Sequence, residues 1–162
     1  MDQRRAVLDL LLENARYAAE DIARQTDLSV DEVEAVVADL EAEGVVRGYQ
    51  AVVDWGQLDD SHVRALVELN VELDRETSYE DIARRIVKYP QVASLRLVSG
   101  EYDFVADLEG DSMHALSDFV AEEIAPVPEI TQTVTHFVMD TYKERGIEFA
   151  TGDGDDRLAV SP

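Results

Sequence analysis

The three histidines are the first side chains to test for chemistry. His62, His114 and His136 fall in a polar connection, a helix start and a strand, with no i,i+4 pair and no metal-ligand spacing among them. Cysteine is absent, which removes thiolate metal sites, disulfides and cysteine nucleophiles. No glycine-rich phosphate loop occurs, and no serine sits in a nucleophile-elbow context. The chain therefore reads as a binding protein, not an enzyme, with no cofactor. Its densest group of recognition chemistry is Ser29, Asp31, Glu32 and Glu34 with Ala35 between carboxylates, followed at a distance by Arg47. A carboxylate of this kind accepts hydrogen bonds from base edges, a hydroxyl donates to phosphate, and an arginine contacts phosphate.

These residues need a helix to carry them, and the periodicity supplies one. Apolar residues at Val7, Leu10 and Leu11 predict a first helix from Asp2 to Asn14, and Ile22 and Ala23 a second from about Ala19 to Thr26. Ser29-x-x-Glu32 is a capping-box pattern, so a third helix runs from there to about Glu43, burying Val30, Val33, Val36, Val37 and Leu40 before Gly44 stops it. Two β-prone runs around Gly48, from Val45 to Val53, predict a hairpin. Three short helices, a tight turn before the third and a hairpin make the pattern of a winged helix-turn-helix, expected over residues 1–56. Asp31, Glu34, Ala35 and Ala38 then face the major groove of double-stranded DNA, with Glu32 and Asp39 at the edges. Arg4, Arg5, Arg16 and Arg47 are candidate phosphate contacts.

After a polar linker at 57–62 the periodicity changes. Residues 63–73 alternate as a strand, and Thr77-x-x-Glu80 caps a helix carrying Ile82, Ala83, Ile86 and Val87. Strands follow at about 92–98 and 103–108, then a helix at about 112–125 and a strand at 130–139. The order βαββαβ predicts a ferredoxin-like α+β domain over 63–140, with both helices on one sheet face. Residues 141–162 form an extension whose acidic end, from Thr151, is expected to fray.

The charge bears on the setting. Aspartate and glutamate number 36 against 14 lysines and arginines, giving −22, and only Lys88 and Lys143 are lysine. The acids are scattered along a chain that is 46% hydrophobic, so they coat a folded protein and do not form a disordered tail. Such a surface fits molar salt, which screens self-repulsion within about 3 Å. The chain reads as a haloarchaeal, cytoplasmic protein, with no apolar run of the roughly 18 residues that would suggest a membrane span. The same charge raises a conflict: no Lys or Arg lies between Arg24 and Arg47. A sensing or protein-interaction module that has lost DNA reading is therefore the alternative.

Three stretches carry a family resemblance: Leu40-Glu-Ala-Glu-Gly-Val-Val-Arg-Gly-Tyr49, Val98-Ser-Gly-Glu-Tyr-Asp103, and Pro128 with Thr133 and Thr135. In this order, over nearly the full length, they resemble the Lrp/AsnC family of feast/famine transcriptional regulators. The resemblance implies domains that pair through their sheets into homodimers, often octamers. It also implies a small effector, usually an amino acid, bound near Gly100, Tyr102 and Asp103 with Thr133 and Thr135 on the last strand. An amino acid needs a carboxylate such as Asp103 for its ammonium and donors for its own carboxylate. Sirohaem decarboxylases resemble the family too, but place histidine around the wing, where this chain has Arg47-Gly48-Tyr49-Gln50.

Overall fold

The computed structural model describes residues 3–58 and 61–149, and the expected frayed tail lies outside them. The chain divides after Val52 into two compact units, 1–52 and 53–162, whereas the sequence places the boundary at residue 56.

The first unit holds α1 (Gln3–Glu13), α2 (Ala19–Gln25) and α3 (Val30–Ala42). Val7, Ile22, Leu28 and Val33 meet in its core, with Leu10, Leu11, Val36 and Val37 packed around them. The start of α3 is closed reciprocally. The Ser29 hydroxyl accepts the Glu32 N–H at 3.3 Å, and the Glu32 carboxylate accepts the Ser29 N–H at 2.8 Å. These bonds satisfy donors that a helix otherwise leaves open. At the other end Gly44 adopts φ +70°, so the N–H groups of Gly44 and Val45 fold back onto the carbonyls of Glu41 and Leu40. That is a Schellman stop, and its left-handed position favours glycine.

The expected hairpin at 45–53 is corrected here: residues 45–54 contain no paired strands. The N–H groups of Val45 and Val46 are both spent on the Leu40 carbonyl. Arg47 Nε donates to the Gly44 carbonyl at 2.8 Å, and the Tyr49 hydroxyl donates to Glu41 at 2.8 Å. A short two-stranded ribbon is marginal on its own, and here local bonds to the end of α3 replace it.

The second unit is built on β1 (Val63–Val71), followed by α4 (Tyr79–Ile86), β2 (Val92–Leu97), β3 (Phe104–Gly110), α5 (Met113–Phe119) with a π-turn at Val120–Ile124, and β4 (Ile130–Phe137). The antiparallel sheet has the order β2-β3-β1-β4, the ferredoxin-like arrangement the sequence predicts. A small hairpin of β5 (Lys143–Glu144) and β6 (Ile147–Glu148) follows. The cap of α4 lies one residue later than expected, at Ser78 with Asp81. Thr77 is drawn into the preceding turn, where its N–H donates to the Asp74 carboxylate at 2.7 Å.

Alternation sorts the sheet into two faces. Ala65, Val67 and Leu69 of β1 lie opposite Leu108, Ala106 and Phe104 of β3. All six are buried beneath Ile82 and Ile86 of α4 and Leu116 and Phe119 of α5. The other face carries Leu66, Glu68, Val105, Asp107, Val134 and His136, and among the described residues no helix of the unit covers it. Leu69 is fully buried on an inner strand, so Leu69→Ala is expected to destabilise the second unit by about 2–5 kcal/mol in denaturant titrations, through lost burial and a residual cavity.

The α3 cap makes a second, pH-dependent prediction. The Ser29 N–H, and then its hydroxyl, hold the Glu32 carboxyl below the usual glutamate range. A depressed folded-state pKa stabilises above the unfolded value, about 4.3, and that contribution is lost as pH falls through the folded value. Glu32→Gln should therefore lower the melting temperature of the first unit at neutral pH. The difference from wild type should close as the pH falls below the unfolded-state value and through the lower folded-state one.

Candidate functional site

The capping and packing of α3 decide which of its side chains reach solvent. Val33 and Leu40 are buried, and Val30, Val36 and Val37 are half-buried against the other helices. Asp31, Glu32, Glu34, Ala35, Ala38 and Asp39 are exposed on the opposite side, as the sequence predicts. Two of the predicted contact residues carry prior commitments. The Ser29 hydroxyl also donates to the Glu32 carboxylate at 2.8 Å, so this pair closes the helix as well as lining its start. Arg47 is exposed, with Nε on the Gly44 carbonyl and the rest of its guanidinium extending beyond the helix stop.

Two of the four candidate phosphate-contacting arginines are engaged by acids. Arg4 pairs with Glu43, where its guanidinium holds the Glu43 carboxyl below the usual range. Arg5 pairs with Asp9 at 2.8 Å. The outward face of α3 is therefore a surface of hydrogen-bond acceptors with one cation at its edge.

In the second unit the turn between β2 and β3 places its residues on different sides of the sheet. Gly100 takes φ +129°, a conformation side chains rarely adopt, and this turns the chain from β2 into β3. The Tyr102 hydroxyl lies against Glu68, whose charge is the main reason its pKa is raised. This puts Tyr102 on the uncovered face, where Glu68 also meets His136 at 3.1 Å. Asp103 is bound into the frame instead. Its carboxylate accepts the Val71 N–H at 2.9 Å and the Tyr79 hydroxyl at 3.2 Å. Its N–H donates to the Leu69 carbonyl at 3.0 Å. The β1–β4 register shifts between Asn70 and Val71, and Asp103 takes up the N–H at that irregularity.

Thr133 and Thr135 stand opposite Leu69 and Val67 on β4, half-buried and on the helix side. The chain thus brings Gly100, Tyr102 and Asp103 into one turn and places Thr133 and Thr135 across β1 from it. Tyr102 and the two threonines lie on opposite faces of the sheet. Sequence reasoning missed Glu68, Val71 and Tyr79, the partners that fix this turn. Asp103 is 24 and 32 residues from two of them, and only the strand register reveals the meeting.

Residues 64–147 match the family model described as the Lrp/AsnC ligand binding domain. Residues 2–47 match the model described as winged helix-turn-helix DNA-binding. A helix-turn-helix transcriptional regulator of Bacillus subtilis is 35% identical over 157 residues, spanning 96% of this chain and 95% of that one. The leucine response regulatory protein of Mycobacterium tuberculosis superposes with a TM-score of 0.74 at 26% identity, covering 90% and 96% of the two chains. The feast or famine regulatory protein of M. tuberculosis, solved in complex with L-methionine, gives 0.72 at 26% identity, covering 88% and 94%. With both units matched in order along one chain, the protein belongs to the Lrp/AsnC family of transcriptional regulators, joining a winged helix-turn-helix DNA-binding unit to a ligand-binding α+β unit.

Proposed function

We propose that α3 reads double-stranded DNA through its exposed face, Asp31, Glu32, Glu34 and Ala35, flanked by Ser29 at its start and Arg47 beyond its stop. The observation that carries this reading is the geometry of α3. It is capped at both ends, locked into the core on one side, and open to solvent over two turns on the other. Carboxylates on such a face accept hydrogen bonds from cytosine N4 in the major groove. The lack of basic residues costs little in molar salt, where counterion release adds little to affinity. The acidic composition supports that setting, a cytoplasm of high ionic strength such as a haloarchaeon maintains.

The effector in this proposal is an amino acid held by Gly100, Tyr102, Asp103, Thr133 and Thr135, with the site completed by neighbouring copies. The methionine complex of a relative 26% identical supports that class of ligand. Self-association uses the uncovered sheet face, where Leu66, Val105 and Val134 form a half-buried apolar strip among Glu68, Asp107 and His136. Paired copies then present two α3 helices to a palindromic site, and the protein acts by binding, without catalysis. Coupling of about 1–3 kcal/mol, roughly 5–150-fold in affinity, is enough to link effector to DNA.

The test is fluorescence anisotropy with the protein's own upstream duplex and a scrambled duplex, with and without each L-amino acid. The expected results are preference for the upstream duplex, an affinity shift in that range with one or a few amino acids, and loss of the shift in Asp103→Asn with the preference retained. A folded, oligomeric protein without any duplex preference would instead establish the second reading, a sensing or partner-binding module, which the acid-rich surface of α3 also favours.

A further inference from the structure

We infer that the second unit contains a separate ligand site, at the end of β1 remote from the Gly100 turn, suited to a zwitterionic amino acid with an apolar or aromatic side chain. A cavity of about 300 Å³ opens there, with walls from the segment just before β1, from Arg64, and from the chain that follows β4. Its size is at the lower end of small-molecule sites, the size of one amino acid. The register fixes the separation. Arg64 pairs with Glu109, whereas Leu69 pairs with Phe104 beside the turn. The seven residue steps of strand from Arg64 to Val71 span roughly 23 Å.

The cavity has a planar apolar wall. The rings of Trp55 and His62 stack at 4.0 Å with an interplanar angle of 21°. The His62 side chain is only 15% exposed, and its Nε2 is buried with no hydrogen-bond partner. The nearest carboxylate oxygen, on Glu109, is 4.0 Å away, too far to bond. Buried polar atoms are rarely left unpaired, and a ligand atom in the cavity that Nε2 meets through a small shift of the His62 ring relieves that cost.

Charge around the cavity is of both signs. Arg64 uses Nη1 on Glu144 at 3.1 Å and directs Nε toward Glu109 at 3.9 Å. This holds the guanidinium in place, with its Nη2 edge able to receive a carboxylate. Asp54 and Asp140, also in the lining, supply negative charge for an ammonium. A simple anion would meet these acids and a simple amine would meet Arg64. A zwitterion satisfies both, with its side chain against the Trp55 face.

Trp55 is the chain's single tryptophan, so its emission reports on this cavity alone. The experiment titrates full-length protein with each L-amino acid, following Trp55 fluorescence and, in parallel, calorimetric heat. At least one apolar or aromatic amino acid is expected to bind saturably. Its deaminated and decarboxylated analogues should bind at least about tenfold more weakly, the loss of one strong polar contact. Affinity should fall by a similar factor in Arg64→Met and in His62→Phe, which keeps the stack on Trp55, with folding checked by circular dichroism. It should be unchanged in Asp103→Asn, which separates this site from the turn. No saturable binding by either readout overturns the inference, and so does binding insensitive to both cavity substitutions.

Discussion

The scarcity of positive charge is the constraint under which the molecule is built. With 14 cationic side chains against 36 acids, those placed next to carboxylates fasten the fold. Arg4 joins the start of α1 to Glu43 past the end of α3. Arg85 of α4 holds Glu129 just before β4 at 2.8 Å and keeps its carboxyl below the usual range. Arg96 of β2 reaches Asp107 of β3 at 3.0 Å. Arg64 anchors the hairpin that follows β4 through Glu144. Exposed pairs of this kind contribute little singly, about 0–1 kcal/mol. Their effect here is to cancel repulsion where segments must approach, and α3 is left with acceptors on its outer face.

The second unit depends on β1 in a different way. It is one of the two inner strands, bonded to β3 on one side and β4 on the other, and its buried residues Ala65, Val67 and Leu69 underlie both helices. Its two ends differ in chemistry. At Val71 the Asp103 carboxylate is absorbed into the frame by a backbone N–H and the Tyr79 hydroxyl, so this end is fixed. At Arg64 a guanidinium held by Glu144 lines a cavity, beside a solvent-shielded His62 nitrogen without a hydrogen-bond partner.

Much of this was legible before any coordinates. The capping box at Ser29 and Glu32 and the stop at Gly44 fixed the limits of α3, because caps are written in local sequence. The βαββαβ order followed from periodicity, and sheet order follows from that topology. The failures were also local. The Val45–Val53 segment has strand-like composition, yet its first N–H groups belong to the Leu40 carbonyl. At α4, Thr77-Glu80 and Ser78-Asp81 are equally good patterns in sequence, and Asp74 decides between them by claiming Thr77. The role of Asp103, the Glu68–His136 pair and the cavity beside Trp55 depend on residues brought together over 24 to 96 positions. Composition does not encode such meetings. His62 was readable only as a packed or solvated side chain, and its stack on Trp55 gives it a place.

The central claim is that an acidic helix face reads DNA by hydrogen bonding and not by phosphate neutralisation. The salt dependence of affinity measures this most directly, since each phosphate contact neutralised by a cation steepens the log–log slope by about 0.9. For the protein bound to its own upstream duplex between roughly 0.2 and 2 M KCl, a slope shallower than about −2 is predicted, with specific binding persisting at the upper limit. A slope of about −6 or steeper, with binding abolished in molar salt, would contradict it, because affinity would then rest on cations that the exposed face of α3 does not have.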